Sequence, residues 1–175
     1  LNDVRFLDAQ RGWAVGEFGR IYHTRDGGLS WTKQNSPIEV SFISGASRNL
    51  FRLLLSNSHA GWAFGLDGVV LTSPDGKKWE VTAQDGASAA DLKRNHLFSA
   101  SSVGVKKFAV GERGTVLVSQ FDSRQWDALS APSLPSNLNG IAFDEEDTGL
   151  IVGNRGVILR RDNAGRQWTP VRIAL

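Results

Sequence analysis

A Gly-x-x-Gly motif recurs four times at corresponding places, and that recurrence constrains the fold more than any other feature. The pairs are Gly16 and Gly19, Gly65 and Gly68, Gly111 and Gly114, and Gly153 and Gly156. An apolar triplet precedes each pair: Trp13-Ala14-Val15, Trp62-Ala63-Phe64, Phe108-Ala109-Val110 and Leu150-Ile151-Val152. An aliphatic or β-branched run follows: Ile21-Tyr22, Val69-Val70-Leu71, Val116-Leu117-Val118 and Val157-Ile158-Leu159. Each unit closes on a tryptophan (Trp31, Trp79, Trp126, Trp168), at intervals of 48, 47 and 42 residues. Repeats of roughly 40–50 residues made of short strands and glycine turns are the signature of propeller blades.

The expected fold is therefore all-β, a β-propeller of four-stranded antiparallel blades, four of them in this chain. Read as a single propeller or propeller segment over 1–175, the blades fall at about 1–36, 48–84, 96–130 and 137–173. In the first unit, strand A is expected at about Val4–Leu7, strand B at Gly12–Val15, strand C at Arg20–Thr24, and strand D from Trp31. In the fourth, the strands are expected at about Asn139–Phe143, Leu150–Val152, Val157–Arg160 and Trp168–Val171. One blade cannot bury its own faces, so neighbouring blades must do so. The unbroken runs Leu150-Ile151-Val152 and Val157-Ile158-Leu159 read as strands covered on both faces. The polar stretch Ala87–Lys93 is expected to be a loop between units.

Composition narrows the function classes. The formal net charge is only +2 and no basic stripe is present, which argues against nucleic acid as a partner. There is no cysteine, so thiol nucleophiles, disulfides and Cys-ligated metals are excluded. No apolar run reaches the ~18 residues of a membrane-spanning helix. The chain starts at Leu1 and holds no methionine, which reads as a processed or partial form.

Between strands C and D, Thr24-Arg-Asp26-Gly-Gly28-Leu-Ser-Trp31 resembles the Asp-box, or BNR repeat, of form S/T-x-D-x-G-x-x-W. A shortened copy is Ser73-Pro-Asp75-Gly76-Lys-Lys-Trp79. The third unit, Ser119 to Trp126, lacks both Asp and Gly at the expected places, and the fourth carries Asn163 and Gly165 before Trp168. The resemblance implies a structural turn whose carboxylate holds backbone N–H groups and whose tryptophan packs between blades. Short side chain–backbone bonds are what Asp, Asn and Ser provide in turns. With Val152-Gly153-Asn-Arg-Gly156-Val-Ile-Leu159, the pattern resembles the photosystem II stability and assembly factor family, whose propellers hold more than four blades. That resemblance implies a protein-binding scaffold working outside the cytoplasm, in the periplasm, the thylakoid lumen or a secreted state, with a membrane-protein client among its partners.

No catalytic constellation is expected. Every Gly-x-x-Gly opens a strand, whereas phosphate loops open a helix. A sialidase would need an arginine triad and a Tyr–Glu pair, yet Tyr22 is the one tyrosine. Glu17, Asp67 and Glu112 sit on B–C turns with nothing to pair them across a cleft. His23, His59 and His96 lack metal-ligand spacing, and Asp144–Asp147 lacks the EF-hand pattern and reads as a solvated turn. No metal and no cofactor is expected.

The alternative reading is an Asp-box glycosidase or carbohydrate-binding propeller fragment, against which Phe18 stands as the only aromatic on the four B–C turns. Strand alternation places the Asp-boxes at one end of the strands and the Gly-x-x-Gly turns at the other. On the Gly-x-x-Gly face, Arg113 and Arg155 occupy equivalent places in successive units, with Phe18, Arg20 and Arg94 expected nearby. The family resemblance points to an arginine patch that holds a client polypeptide, and arginine suits that role. Four blades allow closure alone, pairing with a second copy into a ring, or continuation in a longer chain.

Overall fold

The repeat folds into four meanders of identical topology. The computed structural model describes residues 1–40, 48–56, 59–82, 95–120, 125–129, 136–162 and 167–172. Among these, sixteen strands form four antiparallel four-stranded sheets. Blade 1 is β1 (Asp3–Phe6), β2 (Gly12–Val15), β3 (Ile21–Thr24) and β4 (Thr32–Gln34). Blade 2 is β5 (Leu50–Leu55), β6 (Gly61–Gly65), β7 (Val70–Ser73) and β8 (Glu80–Val81). Blade 3 is β9 (Leu97–Val103), β10 (Lys106–Gly111), β11 (Val116–Gln120) and β12 (Asp127–Ala128). Blade 4 is β13 (Leu138–Phe143), β14 (Gly149–Gly153), β15 (Ile158–Arg161) and β16 (Thr169–Pro170). In each, the strands lie in sequence order, so every connection within a blade is a hairpin.

The chain divides into two compact units, Leu1–Thr82 and Ala83–Leu175, each holding two blades. In the first unit, Trp13, Val15 and Ile21 of blade 1 pack with Leu50, Leu53, Ala63, Leu71 and Trp79 of blade 2. In the second, Phe108, Val110, Val116 and Val118 of blade 3 pack with Leu138, Ile141, Ile151, Leu159 and Trp168 of blade 4. Each such aliphatic side chain contributes roughly 1.5–3 kcal/mol when fully buried. The sheets therefore owe their cores to one another.

The two glycines of each motif serve different needs. The last one has left-handed backbone, with φ of 71° at Gly19, 67° at Gly68, 73° at Gly114 and 71° at Gly156. The residue before it is left-handed too: Phe18 (60°), Asp67 (53°), Arg113 (54°) and Arg155 (59°). Two successive positive φ values are what a tight hairpin with the right-handed strand twist requires. The reversal passes through a single turn of 3₁₀ helix, such as Glu17–Gly19 and Glu112–Gly114.

The first glycine instead has extended backbone, and its requirement is closeness. A Cβ on Gly65, Gly111 or Gly153 would overlap the carbonyl oxygen of Asn49, His96 or Asn137. Those same carbonyls accept the N–H groups of Leu66 (2.9 Å), Glu112 (2.8 Å) and Asn154 (2.9 Å). The start of strand A is thus pinned onto the B–C turn of its own blade.

Burial corrects the reading of the fourth unit. Strands β6 and β7 are buried at every residue, as expected of doubly covered strands. In β14 and β15, buried and more exposed residues alternate, and Leu150 and Val152 are 45% and 48% exposed. The apolar run Leu150-Ile151-Val152 is therefore covered on one face only among the described residues. The expected loop at Ala87–Lys93 lies outside those residues.

Candidate functional site

The Asp-box turns are held from within. In blade 1, the Asp26 carboxylate accepts the Ser30 N–H (2.9 Å), the Ser30 hydroxyl (2.5 Å) and the Thr24 hydroxyl (2.7 Å). Thr24 Oγ1 in turn accepts the Gly28 N–H at 2.9 Å. The Ser30 hydroxyl, the Ser30 amide and then Thr24 lower the Asp26 carboxyl from the ordinary 3.8 to about 2. In blade 2, Asp75 Oδ1 accepts the N–H groups of Lys77 (2.9 Å) and Lys78 (3.3 Å), with the Ser73 hydroxyl at 3.4 Å. The Lys77 amide is the main reason its carboxyl is lowered. Asn163 and Gly165 lie outside the described residues.

The box tryptophans do not share one environment. Trp79, Trp126 and Trp168 are 4%, 1% and 3% exposed, whereas Trp31 is 37% exposed. Trp168 of blade 4 meets the Phe108 ring of blade 3 edge-on at 6.4 Å. Trp79 of blade 2 donates from Nε1 to Gln34 Oε1 of blade 1 at 2.9 Å. Each of these two leans on the blade before its own. Trp31 of blade 1 packs edge-on against Phe6 of the same blade at 6.1 Å. Gly76 has a second neighbour: its carbonyl accepts the Trp13 indole N–H at 2.8 Å and the Gln34 amide at 2.9 Å.

At the other end of the strands, Arg113 and Arg155 are exposed at the left-handed corner of the blade 3 and blade 4 turns. For a side chain larger than glycine or asparagine, this backbone is strained by roughly 1–2 kcal/mol. The Arg113 N–H is held by Asn137 Oδ1 at 3.4 Å, and the Gly114 N–H by the Ser136 carbonyl at 2.8 Å. Phe18 repeats the arrangement in blade 1, its N–H reaching Asn49 Oδ1 at 3.3 Å.

Phe18 and Arg20 come together, the guanidinium lying 5.2 Å from the ring centroid. Arg20 also faces Glu39 at 3.9 Å, although Glu39 is held far closer by Lys33. Arg94 lies outside the described residues. Sequence reasoning missed Asn49 and Asn137, which sit at equivalent places just before strand A; that shared Asn-Leu was the available signal.

The acidic run after β13 is more than a solvated turn. Asp144 Oδ1 accepts the N–H groups of Glu146 (2.9 Å) and Thr148 (2.8 Å). Asp147 faces the buried Arg161 guanidinium at 3.6 Å. Arg161 stands where the other boxes carry Ser or Thr, and its guanidinium lies 5.3 Å from the Phe108 ring centroid.

The sequence model of the photosynthesis system II assembly factor YCF48 family matches residues 1–85 and 101–162. The chain belongs to this family. It is 30% identical over 160 residues to the photosystem II assembly lipoprotein Ycf48 of Picosynechococcus sp., covering 86% of this chain and 43% of that relative. It is 32% identical over 94 residues to the protein of the same name from Synechococcus sp., covering 51% of this chain and 26% of that one. The chain thus spans less than half the length of either relative.

Among solved structures, YCF48 bound to D1 peptide superposes with a TM-score of 0.74 at 18% identity, over 99% of this chain and 53% of that one. YCF48 from Cyanidioschyzon merolae gives 0.71 at 19% identity, over 100% and 56%. An ancestral GH74 enzyme gives 0.72 at 16% identity, over 99% and 24%. At these identities the likenesses establish the propeller fold. Among the described residues, no helix is long and apolar enough to cross a membrane.

Proposed function

We propose that the chain is a non-enzymatic scaffold of photosystem II assembly factor type that docks a partner polypeptide on its Gly-x-x-Gly face. The observation carrying this reading is the repeated presentation of Arg113 and Arg155. Both are exposed on strained turn corners, and both are followed by the glycine that the turn demands. Strain at a surface position is retained where the side chain presented there is useful. Phe18 with Arg20 adds a ring with a guanidinium against it in blade 1. Arg94, from the connection leading into blade 3, is the fifth member of the proposed set.

The D1 peptide carried by the solved relative supplies the probe. Anisotropy of a labelled D1 peptide should report saturable binding. Arg113→Glu with Arg155→Glu should weaken it by about tenfold or more, the loss of 1.4 kcal/mol or greater expected when interface anchors are reversed. Unchanged affinity in the folded double variant would overturn the site.

Two features support the non-enzymatic reading. The family is one of assembly factors, and the Asp26 and Asp75 carboxylates are engaged by their own turns. Glycoside hydrolysis by the purified chain would overturn it. The lipoprotein relatives support a place outside the cytoplasm. A second copy is a further partner of this reading, favoured by the exposed Val4 and Phe6 of blade 1 and Leu150 and Val152 of blade 4. Light scattering should then give twice the chain mass, and a monomer at all concentrations would exclude the second copy.

A further inference from the structure

The first unit carries a second candidate site, at the Asp-box end of its strands and away from its own Gly-x-x-Gly turns. A pocket of about 520 Å³ opens there, lined by Arg11, Trp13, His23, Arg25, His59 and the Pro74–Lys77 turn. Its floor is rigid. The Trp13 indole is fixed by its bond to the Gly76 carbonyl (2.8 Å), and the His23 ring stacks on it at 4.5 Å.

Charge in this pocket is unbalanced. Arg11, Arg25 and Lys77 face one carboxylate, Asp75, whose Oδ1 is already held by the Lys77 and Lys78 amides. Arg11 is paired with Asp8 at 2.7 Å. Among the described residues, Arg25 and Lys77 have no ion-pair partner. Beneath them, His23 Nε2 is buried without a hydrogen-bond partner. Burial first, then the nearby Arg25 and Arg11, hold the His23 imidazole below its ordinary value. The field of both guanidiniums therefore reaches the pocket floor. Like charges gathered over a partly desolvated ring repel one another, and an anion relieves that repulsion.

We propose that this pocket binds an oxyanion, a carboxylate or a tetrahedral sulfate- or phosphate-type group, held by Arg25 and Lys77 above His23 Nε2. The ligand would come either free in solution or as an acidic side chain of a polypeptide, and the chemistry of recognition is the same. Guanidinium and ammonium groups at such a rim are charge-assisted donors to oxygen.

Two probes separate the sources. The labelled chain is titrated with sodium sulfate and, separately, with N-acetyl-Glu-Glu, at constant ionic strength, following the Trp13 indole and His23 ring resonances. Saturable shifts with at least one probe are expected; the tighter probe identifies the source. Arg25→Gln and Lys77→Gln should each weaken binding by about fivefold, the change expected for removing one charge some 4 Å from another in water. Both side chains are exposed, and Arg25→Lys, which keeps the charge, should retain most of the affinity.

Anion binding must also raise the His23 pKa, so affinity should grow as pH falls through it. The groups facing His23 there are Arg11, Arg25, His59, Asp75 and Lys77. His23→Gln should abolish the pH dependence while His59→Gln retains it. Failure of both probes to saturate, or full affinity in the Arg25→Gln, Lys77→Gln double variant, would overturn the site.

Discussion

The division of labour between the two glycines makes a sharp prediction for Gly111→Ala. Gly111 sits at the end of β10 beside a register shift in its pairing with β9. An alanine methyl would overlap the His96 carbonyl oxygen, and would stand 2.9 Å from its carbon and 3.0 Å from Leu97 Cα. All three are backbone atoms, so no rotamer relieves the clash; β9 itself must shift. Overpacking of this kind costs roughly 1–3 kcal/mol. Displacing His96 also breaks its 2.8 Å bond from the Glu112 N–H, about 1 kcal/mol more. The stiffer unfolded chain returns some 0.4–1 kcal/mol.

The net loss for Gly111→Ala is therefore about 2–3 kcal/mol. With an m-value of roughly 1–3 kcal/mol per molar urea, the unfolding midpoint should fall by about 1–2 M. Gly104→Ala is the control in the same unit. Its φ is +54°, but nothing lies within 4 Å of the added methyl. It should cost only the left-handed strain of about 1 kcal/mol. Urea unfolding followed by tryptophan fluorescence compares the two. If Gly111→Ala were no more damaging than Gly104→Ala, the close-approach account of the first glycine would be wrong.

The other predictions use the same chain. Trp168→Ala should destabilise by about 3–5 kcal/mol, the cost of emptying a buried aromatic site, because Trp168 is 3% exposed between Phe108 and Phe143. Trp31→Ala, at 37% exposure, should cost far less in the same urea series; equal losses would refute the ranking by burial. The Asp26 carboxyl is held at about 2 by its turn, so its contribution is full above the unfolded value near 4 and is lost as pH falls from about 4 to 2. Asp26→Asn should accordingly flatten the acid limb of the stability curve in that window, while leaving its shape above pH 5 unchanged.

The blades were legible in the sequence because the repeat recurs in kind as well as in period. An apolar triplet, a glycine turn and a second apolar run can only be a hairpin, and four copies locate four hairpins. Residue-level features divide more finely. That Gly19 and Gly114 needed positive φ follows from hairpin geometry. That Gly65 and Gly111 needed no side chain at all depends on where strand A begins, which the spacing does not reveal. Leu150-Ile151-Val152 looked doubly buried because composition records apolarity and not which face has a neighbour. The pocket at Arg25 and Lys77 was invisible for a different reason: its cations come from turns of two blades and from different places in the repeat, so only the pairing of blades 1 and 2 brings them together.

Trp31 shows that a complete box does not by itself bury its tryptophan. Its box matches the pattern in full: Thr24, Asp26 and Gly28 all make the bonds that the pattern implies. Yet its tryptophan is the exposed one, while Trp126 is buried after a box that lacks both Asp and Gly at the motif positions. Box quality and tryptophan burial are therefore separable. The carboxylate and hydroxyl shape the C–D turn locally, through bonds spanning no more than four residues. The indole belongs to the next level up, because Trp79 and Trp168 find their partners on the preceding blade. The third unit, whose box lacks Asp and Gly at the expected places, still buries Trp126 to 1% exposure. That separation predicts which part of the motif tolerates change: the turn residues before the indole, wherever the indole is buried against the preceding blade, as in blades 2 and 4.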